Sequence, residues 1–458
     1  MQEGGDVTTE LSGRTPARVP EKARQAGEAP TIAGLARDWS WTEPLVWTAR
    51  MLAALEQGVK GGKWYSLIDK VQSETTLKAA FAEVAANKGA AGVDRVSVEH
   101  FARDKDANLR RLSEELRRGS YRPQQIRRHY IPKPGSTEMR PLGIPTVRDR
   151  VVQTALRMAI EPIFERDFAT HSYGFRPHRG CKDALRRVQE LLKVGHVFIV
   201  DADLKSYFDT IPKDLLMALI GQKVVDNRVL ALIENFLNQG VLDGDKEWTP
   251  EQGTPQGAVV SPLLSNIFLD PLDHLMEGRG FEMVRYADDF VVMCRNEEEA
   301  TAALALVQQW TASVGLILHP TKTRLVDERK DGFDFLGYHF EAGKRWPRKK
   351  SQKKIRDTIR TKTKRTSGHS MAQIIADVNR TLRGWFEYFK HSCRSTFRRE
   401  DGFVRRRLRS ILRKRSHRKG SAKANGADQS RWPNAYFTAL GLFCLEQAHA
   451  AACQSSRR

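Results

Sequence analysis

Two short apolar runs meet at a pair of adjacent carboxylates in Phe281-Glu282-Met283-Val284-Arg285-Tyr286-Ala287-Asp288-Asp289-Phe290-Val291-Val292-Met293, and no other stretch limits so narrowly what the chain can become. The pattern reads as a β-hairpin with acid at its tip. Neighbouring residues on a regular strand point to opposite faces, so both carboxylates serve one site only where the backbone turns, and Ala287-Asp288 is the place for the turn. Two carboxylates this close repel until a cation neutralises them. Hard oxygen ligands suit Mg²⁺, commonly held by one or two carboxylates plus substrate phosphates. An exposed hairpin turn, where Asp is common, accounts for the same residues without chemistry.

Charge supplies the next constraint. The 458-residue chain, long enough for two or three domains, has a formal net charge of +21. Two segments account for all of it: Lys344 to Arg365 contributes +11 and Arg394 to Lys419 contributes +10. Charge confined to two runs points to surfaces that bind a polyanion, nucleic acid first. Ile355, Ile359, Trp385, Phe386, Phe389, Phe403, Leu408, Ile411 and Leu412 lie in or between these runs, so folded basic helices are expected rather than a basic tail.

Five cysteines, odd in number and without a Cys-x-x-Cys pair, indicate neither a zinc module nor a disulfide framework. Met1-Gln2-Glu3-Gly4-Gly5 lacks the basic and apolar regions of a signal peptide, and no uncharged apolar run approaches a membrane span. A cytoplasmic location with no membrane partner is expected.

Residues 1–38 read as a poorly ordered leader, rich in Gly, Thr, Pro and Ala. Trp41 to Leu67 reads as a helix broken at Gly61-Gly62, Leu77 to Ala86 as a second and Val98 to Arg118 as a third closed by Gly119. Tyr130-Ile131-Pro132-Lys133-Pro134-Gly135 and Arg140-Pro141-Leu142-Gly143-Ile144-Pro145 form a strand-and-turn region; Lys133 and Arg140 flank its turn, placed to hold a triphosphate or to sit in solvent. Val147 to Phe168 and Cys181 to Lys193 are helical, with the turn-rich Ser172-Tyr173-Gly174-Phe175-Arg176-Pro177 between them.

The apolar strand Val197-Phe198-Ile199-Val200 runs into Asp201-Ala202-Asp203, where a strand-end carboxylate is open to a ligand. Asp203 is the acid directed to the metal, Asp209 is expected to cap the next turn, and Asp201 fits either role. Gly253-Thr254-Pro255-Gln256-Gly257 leads to Ser261-Pro262, an N-cap with a first-turn proline. Asn296 and Glu299 make a capping box for a helix stopped at Gly315, and Phe333 to Phe340 reads as one strand. Arg383 to Phe389 is an aromatic cluster read as core, Lys419 to Gln429 a flexible loop, and Trp432 to Leu445 a last apolar segment.

Asp203 at a strand end, a Pro-Gln-Gly turn before a helix, and Asp288-Asp289 at a hairpin tip follow one another in the order of a reverse transcriptase palm. With Tyr207-Phe208-Asp209, Arg140 to Pro145 and Gly174 to Pro177, the chain resembles a group II intron-encoded reverse transcriptase/maturase of bacterial type from about Trp39 almost to its end. Gly92-Val93-Asp94 resembles the N-terminal finger extension of intron and non-LTR enzymes. Leu382-Arg383-Gly384-Trp385 through Gly441-Leu442-Phe443 resembles the thumb and maturase X region. The resemblance implies an α/β right-hand polymerase: fingers and palm over 39–340, then an all-α basic thumb and X domain over 341–458.

The resemblance also implies the chemistry. Asp203 and Asp288 would coordinate two Mg²⁺ ions about 3.5–4 Å apart, with Asp289 in support. Phe208 takes the steric-gate position that selects dNTPs, Lys133 and Arg140 clasp the triphosphate, and Gln256 and Gly257 line the nascent base pair. Lys322 matches a lysine near the leaving pyrophosphate and is a candidate proton donor, or an exposed lysine after a turn. Phe335-Leu336-Gly337 resembles the primer grip. Lys349, Lys350, Lys353, Lys354, Arg405, Arg406 and Arg407 would bind group II intron RNA and the template-primer RNA/DNA duplex through phosphates. A DNA target and a nucleoid-associated ribonucleoprotein are further expectations. No metal-ligand pairs follow Ala448-His449-Ala450, so no zinc-supported HNH endonuclease is expected.

An active RNA-directed DNA polymerase that also assists splicing fits these features. A splicing maturase without polymerase activity, or a retroelement enzyme used outside introns, fits them less well, given the intact carboxylates and the X-like C-terminus.

Overall fold

Eleven strands among the described residues set the scaffold: β1 (Ile126–Pro132), β2 (Met139–Ile144), β3 (Phe198–Asp203), β4 (Val241–Asp243), β5 (Lys246–Trp248), β6 (Glu282–Tyr286), β7 (Asp289–Cys294), β8 (Arg324–Asp327), β9 (Phe333–Phe335), β10 (Tyr338–Glu341) and β11 (Lys344–Pro347). The computed structural model describes residues 38–132, 139–416 and 425–455. The expected leader apart from Asp38, the turn lysine Lys133 and the loop residues up to 424 lie outside them. The chain divides into Met1–Trp39 and Ser40–Arg458, and every element named above belongs to the second unit.

Three sheets result: β2-β1-β4-β5, β6-β7-β3-β8 and β11-β10-β9. The middle sheet is antiparallel throughout, with β3 paired to both β7 and β8. Its strands are β-branched and apolar because both faces are covered. Ile199, Val284, Val291 and Met293 join one core with Leu185 and Val188 of the helix Cys181–Lys193 and with Phe333, Phe335 and Phe340. Strand alternation leaves Val200, Ala202, Phe290 and Val292, all fully buried, on the other face, where the helices Ser261–Gly278 and Glu297–Ser313 pack. Burying each Val or Phe among them is worth about 1.5–3 kcal/mol relative to exposing it.

Beyond β11 the chain is helical and basic; the region expected to be all-α from 341 begins instead with β11, which pairs with β10. Lys349–Lys362, Met371–Phe389 and Arg394–Arg415 present Ile355, Ile359, Val378, Leu382, Phe386, Phe397, Val404 and Leu408 to one shared core, turning their charge outward. The helix Leu445–Ser455 docks by its N-terminus: the Asp401 carboxylate accepts from Leu445 N and Glu446 N, each at 3.0 Å.

Several local readings need correction. Trp41–Thr48 is not helical; the helix is Ala49–Gln57, followed by a short turn at Lys60–Gly62 and a helix at Ile68–Gln72. Val98–Arg118 is two helices parted at Asp104. Ser261 is the first helical residue rather than the N-cap, and its hydroxyl donates back to Pro255 O at 2.9 Å. The capping box is half formed: Asn296 accepts from Glu299 N, but Glu299 accepts from Arg295 N. Phe333 to Phe340 is not one strand but a hairpin, because Leu336 and Gly337 both take positive φ. Asn425–Arg431, expected as part of the flexible loop, is helical.

Candidate active site

The hairpin turns where expected. Ala287 takes φ 61°, and Tyr286 pairs with Asp289 across the turn. The register of β7 against β3 sets Asp289 directly opposite Asp203, and Asp201, two residues earlier on β3, shares their face. Asp288 lies in the turn itself. Burial, then the negative charges of Asp201, Asp288 and Asp203, push the Asp289 carboxyl up to about 7. Burial and then Asp203 raise Asp288; burial raises Asp201, with Arg324 opposing at 3.2 Å. Lys322 reaches Asp203 with its Nζ 2.6 Å from Oδ2. Among the described residues no three His, Cys, Asp or Glu side chains stand as a ready metal cage. The donor set nevertheless suits a hard cation: four carboxylates on adjoining positions, two of them raised by burial first and further by a neighbour's negative charge.

One arginine holds the turn from behind. Arg285 is 0% exposed in the apolar hairpin, its guanidinium bonded to both Asp273 oxygens. It donates further to Asn266 Oδ1 at 2.9 Å and to Ala287 O at 3.0 Å. Asn266 in turn donates to Gly174 O at 2.8 Å. Gly174 admits no side chain, because a Cβ there would stand 2.1 Å from Ala287 N. Tyr173 N and His171 O bond to the Arg285 backbone, making this loop an added edge of β6. Sequence reasoning missed Arg285, Asp273 and Asn266. The signal was an arginine inside an apolar strand and an Asp inside an apolar helix, each requiring a partner if buried.

On the side expected to take the nucleotide, Phe208 is 8% exposed in the short helix Tyr207–Thr210, and its carbonyl accepts from Thr254 N at 2.7 Å. The Pro-Gln-Gly turn docks on β2. Gly143 N donates to Gln256 O at 2.6 Å, and Gly257, at φ 105°, lies so close to Gly143 O that a Cβ would meet it at 2.3 Å. Arg140 Nε donates to Gln256 Oε1 at 3.2 Å, so these two side chains meet. Lys133 is outside the described residues. Asp209 caps nothing with its side chain and is exposed, with Arg128 and Arg140 the cations that act on its carboxylate.

Phe335 is core, 1% exposed, so only the Leu336-Gly337 turn of the expected grip is near the surface. Its carbonyls accept from the Tyr388 hydroxyl, Arg348 N and the Ser351 hydroxyl, tying the turn to two basic-region helices. Lys349, Lys350, Lys353, Lys354 and Arg406 are exposed, and Arg405 is half-buried. Arg407 departs from the expectation: its guanidinium donates to Thr363 Oγ1 and O, closing the C-terminus of Lys349–Lys362 instead of facing outward.

The fold is that of a reverse transcriptase. Residues 131–340 match the family described as reverse transcriptase (RNA-dependent DNA polymerase), and residues 352–432 match the group II intron maturase-specific domain. The chain is 33% identical to protein YkfC of Escherichia coli over 341 residues, 66% of this chain and 85% of that one. It is 39% identical to the group II intron-encoded protein LtrA of Lactococcus lactis over 196 residues, 42% of this chain and 32% of the relative. A chain of a partial Cas6-RT-Cas1–Cas2 complex aligns over 54% of this chain and 42% of its own, at 24% identity and a TM-score of 0.36. The chain belongs to the group II intron-encoded reverse transcriptase/maturase family. No helix among the described residues is long and apolar enough to cross a membrane.

Proposed function

We propose that the chain is an RNA-directed DNA polymerase that copies intron RNA into cDNA during intron mobility and binds that RNA to assist its splicing, working in the cytoplasm on a DNA target. The observation that carries this reading is the register that sets Asp203 opposite Asp289, with Asp288 in the adjoining turn. Asp203 and Asp288, supported by Asp289, would hold two Mg²⁺ ions. Such ions, when bound, lower the pKa of a primer 3′-hydroxyl and neutralise triphosphate charge. The chain's own residues do the rest. Arg140, with Lys133, grips the triphosphate; Gln256, bonded to Arg140, and Gly257 line the new base pair. The Phe208 ring leaves no room for a ribose 2′-hydroxyl. Lys322, which pairs with Asp203, is the candidate proton donor to the leaving pyrophosphate. The Leu336-Gly337 turn steadies the primer end. Fingers and palm end near 340, and the basic helices after 341 hold RNA and duplex phosphates.

Primer extension on poly(rA)/oligo(dT) tests the reading. The wild type incorporates dTTP only with Mg²⁺, and the Asp288→Ala, Asp289→Ala double variant falls to background. A wild type without incorporation leaves the splicing maturase as the function. Phe208→Val should admit ribonucleotides; unchanged sugar selectivity removes its gate role.

A further inference from the structure

The last described helix, Leu445–Ser455, carries the chain's one His-x-x-x-Cys spacing, which none of the chemistry above uses. Along the sequence His449 and Cys453 read as a histidine and an isolated thiol. On a helix, residues four apart are neighbours on one face, and the Cys453 sulfur lies 3.6 Å from His449 Nε2 and 3.9 Å from Nδ1. Cys453 is exposed, so the pair is open to solvent.

The imidazole is held in place by the protein alone. Its ring stacks on Phe397 of Arg394–Arg415, centroids 4.7 Å apart and planes inclined by 30°, and Phe397 is fully buried. The Ser392 backbone is its hydrogen-bond partner, which leaves one ring nitrogen for a ligand. Burial and then the charge of Arg394 lower its pKa, favouring the neutral ring that metals bind. The helix itself is fixed at its start by the Asp401 carboxylate, so both side chains stand on a rigid element.

A thiol beside an imidazole is either a plain S–H···N hydrogen bond or half of a metal site. Distance and chemistry favour the second. A Zn–S bond of about 2.3 Å and a Zn–N bond of about 2.0–2.1 Å, set tetrahedrally, put sulfur and nitrogen about 3.5–3.6 Å apart. Cys453 Sγ and His449 Nε2 already have that separation, so neither side chain needs to move. Nitrogen and thiolate donors also select a different class of ion from the carboxylates of the hairpin tip. Among the described residues no third His, Cys, Asp or Glu joins the two, and a tetrahedral ion therefore keeps two positions open.

We propose that His449 and Cys453 bind Zn²⁺ through imidazole and thiolate, the two remaining positions being filled by water or by the same pair of a second copy of the chain. Binding releases the thiol proton, so affinity rises with pH. In the second case two copies join through Leu445–Ser455. Neither case depends on polymerase activity.

The full chain, reduced, stripped of metal with a chelator and kept in excess Mg²⁺ to occupy the hairpin carboxylates, is titrated with Co²⁺ and then with Zn²⁺. A thiolate–cobalt charge-transfer band should appear and be displaced by one Zn²⁺ per chain if water completes the site. Displacement by one Zn²⁺ per two chains, with a Zn²⁺-dependent dimer in sedimentation velocity, assigns the open positions to a second copy. Cys453→Ser, an exposed change that leaves the packing alone, should abolish the band. His449→Phe keeps a ring to stack on Phe397 and should weaken Zn²⁺ binding at least about tenfold, since even outer-shell changes cost a metal site that much. Cys181→Ser should change neither result. A wild type without the band, a band that survives in Cys453→Ser, or a His449→Phe protein that binds Zn²⁺ like the wild type overturns the proposal and leaves a thiol–imidazole hydrogen bond.

Discussion

Arg285 carries more structural consequence than any residue the acids themselves reveal. Its guanidinium satisfies Asp273, Asn266 and the Ala287 carbonyl inside a fully buried site, so removing it strands a carboxylate out of water. Arg285→Met should cost about 3–5 kcal/mol in urea denaturation. Arg285→Lys keeps the charge but not the planar fork, and should recover part of the stability while kcat stays low. The meeting of the acids Asp203, Asp288 and Asp289 was legible because an Asp at the end of an apolar run has few structural reasons to be there. Their brace was not legible, because Asp273 lies on a helix whose approach to β6 only the tertiary fold decides. Asp209 was misread for the opposite reason: a local capping role was assumed where the side chain is exposed and accepts no helix N–H.

At the scale of elements, the acidic turn is held by close backbone approaches on the loop that precedes it in sequence. A methyl group on Gly174 would collide with Ala287 N, so Gly174→Ala should displace the hairpin tip. Primer extension should drop by at least about tenfold while RNA affinity, measured by filter binding, stays within about twofold, because the collision is local. Periodicity found most of the long helices and three strands of the central sheet, β3, β6 and β7, since these are defined by which face is apolar; β8, a short strand flanked by charge, was not read. It could not find the turn at Leu336-Gly337. Aromatic alternation continues on both sides of it, and only the backbone conformation marks the reversal. The division of Val98–Arg118 at Asp104 escaped for a similar reason: Phe101 and Leu109 keep a helical spacing across the break.

For the whole molecule, charge and chemistry occupy different parts of the chain. The +21 formal charge falls in the two basic runs after β10, with the remainder close to neutral. Duplex or RNA binding should therefore weaken steeply with salt. Reversing Lys349, Lys350, Lys353 and Lys354 to Glu should flatten the log–log salt slope by about 3–4, near 0.9 for each phosphate no longer neutralised; an unchanged slope would count against that surface. Arg407 and Arg409 belong to a different class, since their guanidinium groups close the Thr363 and Trp432 carbonyls and hold the helices together. The two uses of arginine on one helix have a practical consequence for anyone engineering the protein. The exposed lysines of Lys349–Lys362 can be changed without touching the packing, whereas wholesale dilution of positive charge along Arg394–Arg415 would also remove the guanidinium groups that hold Thr363 and Trp432 and so loosen the helices themselves.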